Sequence, residues 1–307
     1  MSSAMKISVI ICTRNRPEDV ELCLPSVLKN DYPEFEVLLI DQSTNELTKQ
    51  HAERLAKEYP VLRYIPTTTV GKTLALNIGM QEAKYDIFAF TDDDCETTST
   101  WLQAIAKEYA DPNAPDVLFG PVLPSPVLKG MKDICVPAWS FKESRYLRDE
   151  EPGGMGANMA MQRSVLANLP DGARFDPLLG PGAPFYAAEE RDLDYRLRRL
   201  GTKAGLRPSM LLYHRAFRTP ERWRRVMYDY GVGDAAFYVK HARCGDKWAA
   251  RAAFKLAFGK AVKASAKWLL RRPNNDEIPY LRGFTAGVKQ SMRTPLDVER
   301  RLFIAPV

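Results

Sequence analysis

Short apolar runs and longer amphipathic stretches alternate through the first third of the chain. Residues 7–11 are apolar and β-branched, and a polar turn from Thr13 to Arg16 separates them from a stretch, 17–29, that places Val20, Leu24, Val27 and Leu28 on one helical face. Pro17 suits a first helical position, and Pro25 predicts a kink. A second apolar run, 37–40, ends in Asp41; residues 46–59 read as a charged surface helix, 62–65 as a third strand and 72–83 as a third helix. The fourth run, from Ile87, stops at three consecutive carboxylates, Asp92, Asp93 and Asp94. This alternation predicts an α/β fold with a mostly parallel sheet flanked by helices and joined by right-handed crossovers. Ligands of such sheets bind beyond the carboxyl ends of the strands. Thr13, Asp41 and the aspartates all fall at such ends, so three separate pieces of chain converge on one crevice.

The later pattern is less regular. Thr100 and Gln103 have the spacing of a capping box for a helix over 101–109, and 117–119 reads as a fifth strand. A proline-rich stretch, 121–137, predicts a long loop of the kind that often faces a substrate. Gly153, Gly154 and Gly156 precede Asn158 and the short run 159–161; they let backbone approach a ligand or simply make a turn, and no dinucleotide fingerprint fits them. From Glu189 the period is helical again, with Leu193, Leu197 and Leu200 on one stripe and the pairs Asp192/Arg196 and Asp194/Arg198 four apart, until Gly201. Glu189 and Glu190 in the first turn complement the helix dipole, and Glu190, three residues before Leu193, is also placed for a general base. The run 210–213 ends in His214, for which a structural and a metal-binding role both stand.

Composition narrows the chemistry. At 307 residues, 34.7 kDa, with 45% hydrophobic and 27% charged residues, the chain has the makeup of an ordinary globular protein, and its formal charge of +6 favours anionic partners. Five cysteines without paired spacing argue against a zinc knuckle or a disulfide framework and for a reducing compartment. With no apolar run long enough to span a bilayer, the expected location is cytoplasmic. Three like charges at the end of a buried strand repel one another and resist desolvation, so folding alone does not account for them; a divalent cation would. Residues 248–272 alternate alanine and aromatic positions with Arg251, Lys255, Lys260, Lys263, Lys267, Arg271 and Arg272. Such a helix either packs with its charges solvated or lies in an anionic headgroup layer, peripheral on the inner face of a membrane. No pattern for nucleic-acid binding is present.

Four blocks in order, ISVIICTRNRPEDVELCLPSV with VLLIDQS, VGKTLALNIGMQEAKYDIFAFTDDDCETTSTWL, GGMGANMAMQRS, and AEERDLDYRLRRLG with RPSMLLYH, give the region 6–218 a close resemblance to the family 2 glycosyltransferases. The resemblance implies a GT-A, Rossmann-like catalytic domain over 1–218, with a nucleotide-binding half (1–100) and an acceptor-side half (101–218), followed by a helical, basic extension over 219–307. It implies a nucleotide-sugar donor, a hydroxyl-bearing acceptor, and Mn²⁺ or Mg²⁺ as cofactor. Thr13 and Asp41 match positions that hold base and ribose, with Arg14, Arg16, Lys72 and Asn77 as neighbours of base or diphosphate. Asp92–Asp94 matches the DXD motif: Asp94 as metal ligand, Asp92 near ribose or metal, Asp93 on the nucleotide side and the member that best tolerates replacement. His214 matches a supporter of the metal or diphosphate, and Gly156, Asn158 and Glu189 fall toward the acceptor and sugar.

Glu190 aligns with the catalytic base, although glutamate stands where aspartate is usual, which leaves Glu189 or Asp192 as competing acids. Asp41-Gln42-Ser43 replaces the commoner Asp-Asp-Gly-Ser, and the QxxRW motif of processive synthases is missing, which implies single transfer; the resemblance itself implies inversion. Two other classes compete: a sugar-phosphate nucleotidyltransferase, which would carry a glycine-rich loop after its first strand, and a non-catalytic carbohydrate- or membrane-binding protein.

Overall fold

The computed structural model describes residues 5–170, 173–272 and 275–305. The regular alternation is all present: β1 (Ile7–Thr13), α1 (Pro17–Leu28), β2 (Phe35–Asp41), α2 (Leu47–Glu58), β3 (Leu62–Pro66), α3 (Lys72–Glu82) and β4 (Ile87–Asp92). Then follow β5 (Cys95–Thr97), α4 (Trp101–Tyr109), β6 (Val117–Phe119), β7 (Val122–Pro124), β8 (Arg145–Tyr146), β9 (Met159–Gln162), α5 (Glu189–Arg198), β10 (Ala204–Leu206) and β11 (Leu212–His214). Pro25 sits inside α1 without ending it. Thr100 precedes α4 but makes no side-chain cap, so the expected capping box does not form.

Eight strands form one sheet in the order β3-β2-β1-β4-β9-β6-β10-β8. The first four are parallel, and β1 runs between β2 and β4 with Thr13 beside Asp41 and Cys12 beside Asp92. The order reverses there, which opens the crevice at the carboxyl ends of β1 and β4. β9 departs from the parallel pattern and runs antiparallel to both β4 and β6. Both faces of the sheet are covered. Val9, Ile11, Val37 and Leu39 pack toward α1, α2 and α4, while Ile10, Leu38, Ile40, Phe88 and Phe90 pack toward α3 and α5. Continuous apolar strands are what burial on both faces requires. A small sheet, β5-β11-β7, stands at the mouth of the crevice and carries His214.

Three helices follow: α6 (Pro220–Arg243), α7 (Lys247–Leu269) and α8 (Glu277–Arg293), then the two short strands β12 (Leu296–Asp297) and β13 (Leu302–Phe303). α6 and α8 touch backbone to backbone. A Cβ on Gly231 would lie 2.1 Å from the Tyr280 carbonyl oxygen, and one on Gly283 would lie 2.0 Å from that of Tyr228. Gly231 thus serves helix packing, while Gly233 lets α6 approach Ala187 ahead of α5.

α6 is tied to α5 through a buried polar cluster. Lys240 Nζ lies 2.8 Å from Asp176 and 2.6 Å from Asp192, Arg196 Nε donates to Asp192 at 2.9 Å, and His241 Nε2 lies 3.0 Å from the same carboxylate. All are fully buried or nearly so. Burial pushes the His241 imidazole down to about 4, so at neutral pH it is uncharged. The two i,i+4 pairs of α5 both form, at 2.9 and 2.7 Å, and both are interior.

Candidate active site

The aspartates at the end of β4 diverge toward three different partners. Asp92 faces Lys72, whose Nζ is 2.6 Å away. Asp93 accepts from the Thr13 hydroxyl at 2.7 Å and from Arg16 NH1 at 2.6 Å. Asp94 accepts from Arg16 NH2 at 2.8 Å and turns its other oxygen to His214 Nε2 at 3.5 Å. Burial, with the like charge of Asp94 added, pushes Asp93 up to about 7 in spite of Arg16. Burial acts on Asp94 in the same sense, but His214 and Arg16 outweigh it and hold that carboxyl below its ordinary value. Asp93 is therefore a tie between β1, the turn after it and β4, while Asp94 is the member that faces His214.

The Asp94 and His214 pair suits a hard divalent cation. His214 Nδ1 lies 3.1 Å from the Ala216 carbonyl oxygen, which can only accept, so Nδ1 carries the hydrogen. In the neutral ring Nε2 then presents its lone pair to a carboxylate oxygen. A protonated ring pairs with that carboxylate directly, whereas a neutral ring and the carboxylate are two acceptors that a divalent cation would satisfy, and oxygen plus imidazole donors suit Mn²⁺ or Mg²⁺. Cys95 completes a group of potential ligands within 4.8 Å of one another, but burial pushes its thiol well up, and a neutral thiol is a poor partner for such an ion. Asp92 lies outside this group.

The opposite wall is built at the start of α5. Ala188, which precedes it, adopts φ 72°, ψ 19°, a left-handed conformation that an alanine takes only where its surroundings hold it. Asp192 N donates to its carbonyl at 3.0 Å, and the Gly180 amide holds Ala187 at 3.3 Å. This bend aims Glu189 and Glu190 back at β4. Glu189 Oε1 is 3.5 Å from Lys72 Nζ, and burial of that ammonium is outweighed by Asp92 and Glu189, which keep it charged. Glu190 has no such cation to itself, and burial followed by the like charge of Glu189 pushes it up to about 8. Gly156 lies directly beneath it, where an added Cβ would come 3.2 Å from the Glu190 Cβ. Asp192 points away into the buried cluster, where Lys240 and Arg196 overcome its burial and hold it far below the carboxylate range. It is withdrawn as a competing acid.

Lys72, Asp92, Gly156, Glu189 and Glu190 line one cleft of about 610 Å³. The proline-rich stretch reaches the same cleft through Val136 and Pro137, and Gly153 and Gly154 line it too, whereas Trp139, the α6 residues Trp223, Met227 and Tyr230, Lys260 from α7 and Tyr280 from α8 were not foreseen from sequence. A second cavity of about 610 Å³ is lined by Arg16 and Asp19 and by Arg215, Arg218 and Arg222, the last three following His214 closely in sequence. Asp41 receives the Tyr64 hydroxyl at 2.9 Å and the Ser43 amide at 2.8 Å, and Thr44 N donates to the Asn15 side chain at 2.9 Å, joining the loops after β1 and β2. Arg14 is exposed on the first of these loops.

Two expected site residues have structural partners. Asn77 exchanges hydrogen bonds with the backbone of Phe175, both at 3.0 Å. Asn158 is fully buried, accepts from Trp101 Nε1 at 2.9 Å and donates to the Pro121 carbonyl at 2.8 Å. Asn77 keeps one N–H and one lone pair beyond this exchange, whereas Asn158 gives its second N–H to the Met210 carbonyl and is closed to a ligand by burial.

Comparison with known proteins bears on the family and the fold. Residues 8–169 match the model of the family described as Glycosyl transferase family 2. Glycosyltransferase AglE of Haloferax volcanii is 33% identical over 100 residues, covering 32% of this chain and 33% of that protein. The chain thus spans about a third of the length of such curated relatives. Among solved structures, Mannosyltransferase PcManGT from Pyrobaculum calidifontis, in complex with GDP-Man and Mn²⁺, superposes with a TM-score of 0.62 at 18% identity over 95% of this chain and 88% of that one. Residues 1–349 of Staphylococcus aureus TarS in complex with UDP give 0.55 at 21% identity, over 75% and 65% of the two chains. At these identities the two structures speak for the fold, and they share the helix-flanked, mostly parallel sheet. Since the family's model spans more than half of the 307 residues, from β1 to beyond β9, the chain belongs to glycosyl transferase family 2.

Proposed function

We propose that the protein transfers a single sugar from a nucleotide-diphosphate sugar to a hydroxyl acceptor, with inversion and with the help of a divalent metal. The observation that carries this reading is Glu190: a carboxyl of raised proton affinity, held by a strained bend on the wall of the cleft that Asp92 and Lys72 also line. Catalytic groups are where such perturbation is expected.

In this reading Thr13 and Asp41 hold the nucleoside. Arg16, with Arg215, Arg218 and Arg222 around the second cavity, supplies positive charge for the diphosphate. Asp94 and His214 would hold Mn²⁺ or Mg²⁺, which would supply positive charge for the leaving diphosphate. Lys72 stays charged between Asp92 and Glu189 and offers hydrogen bonds to the donor. Glu190 takes the proton of the acceptor hydroxyl while that oxygen attacks the anomeric carbon. The new C–O bond forms as the bond to phosphate breaks on the opposite face, so configuration inverts. General-base assistance of this kind is worth ~10²–10⁴ in rate.

Residues 1–218 carry the donor site and the base, and 219–307 supply the outer wall of the cleft on the acceptor side. Single transfer rests on the absence of the QxxRW motif. A nucleotidyltransferase fits less well, because the loop Thr13–Arg16 has no glycine and Glu190 would have no task.

A panel of nucleotide sugars with Mn²⁺, read by thermal shift and donor hydrolysis, tests the reading. A stabilising response to at least one nucleoside diphosphate is expected, and silence across the panel would sink it.

A further inference from the structure

α7 has two chemically different faces. The inner one is sealed: Ala249 and Ala264 are buried, Trp248 stacks on Tyr195 with ring centroids 5.3 Å apart, and Lys260 lies 4.6 Å over the Tyr280 ring at the cleft wall. The outer face carries Phe254, Phe258 and Val262, four residues apart, with 74%, 62% and 53% of their surface in water. Phe254 and Phe258 stack on each other at 6.2 Å. At the end of the helix Trp268, Leu269 and Leu270 are 74%, 76% and 66% exposed. A contiguous stripe of this kind on an otherwise polar surface marks a contact site.

Charge identifies the occupant. Residues 247–272 contain eight lysines and arginines and no aspartate or glutamate. Among the described residues, Lys247, Arg251, Lys255 and Lys263 are exposed and enter no ion pair, while Lys267 is paired with Glu277 on α8 at 2.8 Å. A second copy of the chain docking through this face would bring like charges together. An anionic bilayer answers both features at once: the aromatic stripe enters the boundary between headgroups and acyl chains, and the basic residues meet lipid phosphates. No helix among the described residues is long and apolar enough to cross a membrane.

We propose that the outer face of α7 seats the protein on an anionic membrane surface. Lys260 projects from the opposite side of the same helix into the cleft, so the cleft wall lies about one helix diameter, ~10 Å, from the headgroups. Resting on the glycosyltransferase reading, this makes the hydroxyl acceptor a lipid-linked one.

The test is co-sedimentation of the full chain with vesicles of phosphatidylcholine alone or mixed with phosphatidylglycerol. Binding to the mixed vesicles only, released by salt, is expected. Each basic residue near an anionic surface is worth about fivefold in partitioning, so Arg251→Gln/Lys255→Gln/Lys263→Gln should lose binding on the order of a hundredfold. Phe254→Ser/Phe258→Ser/Trp268→Ser should also lose it, with circular dichroism and the nucleotide thermal shift unchanged in both variants. Equal binding to both vesicle types, or none by the wild-type protein, overturns the proposal. So does a dimer in light scattering that the serine variant abolishes without any vesicle binding, since a second copy would then cover the stripe. Vesicle binding needs no donor, so it stands or falls separately from the response to nucleotide sugars.

Discussion

Two ion clusters meet at α5, and they differ in balance. The interior one sets Asp176 and Asp192 against Lys240 and Arg196, with His241 neutral, so its formal charges cancel and water is excluded. The one in the cleft sets Asp92, Glu189 and Glu190 against Lys72 alone. A balanced, closed cluster holds two parts of a chain together; an unbalanced one open to a cleft keeps a proton poised for transfer. Glu190 and Asp192, two residues apart on one helix, are pushed in opposite directions by this difference.

Removing one member from each cluster separates their roles. Glu190→Gln should lower transfer by ~10²–10⁴ while nucleotide-induced thermal shift persists, and a variant with full activity would remove Glu190 as the base. Lys240→Met should do the reverse. Leaving Asp176 and Asp192 buried without their cation should cost about 3–5 kcal/mol in urea unfolding, with any folded fraction still binding nucleotide.

pH separates the clusters further. A general base works unprotonated, and Glu190 sits near 8 before substrates bind, so kcat/KM should climb with pH, nearly tenfold per unit, and level off near that value. A profile already flat from pH 5 upward would contradict the raised carboxyl. The interior cluster responds on the acid side. His241 has its folded value lowered from 6.5 to about 4, so the unfolded chain binds more protons between those limits. Stability present above 6.5 is therefore lost as pH falls toward 4, by on the order of 3 kcal/mol, and His241→Gln should flatten that slope in denaturant titrations. The smallest contrast lies within the triplet. Asp93→Asn, at a position pushed up to about 7 and half protonated at neutral pH, should weaken nucleotide binding only modestly, whereas Asp94→Asn should abolish the Mn²⁺-dependent part of the thermal shift.

Alternating apolar and amphipathic stretches were enough to place β1 to β4, their helices and the convergence of Thr13, Asp41 and Asp92 at one sheet edge, because each depends on local periodicity and on the few ways parallel strands connect. Residue type also singled out Glu190 and His214. Periodicity could not show that β9 runs antiparallel, since a four-residue apolar strand reads the same in either direction. Nor could it separate Asn77 and Asn158 from ligand-binding amides: their partners, Phe175, Trp101 and Pro121, lie 98, 57 and 37 residues away. The aromatic wall from α6 and α8 depends on the close approach at Gly231 and Gly283, a tertiary event. What the sequence alone determined is which strands form and which carboxylates end them. Only the tertiary structure decided which carboxylates would be neutralised in the interior and which left poised in the cleft, because a proton's affinity is set by burial and by charges brought close from distant parts of the chain.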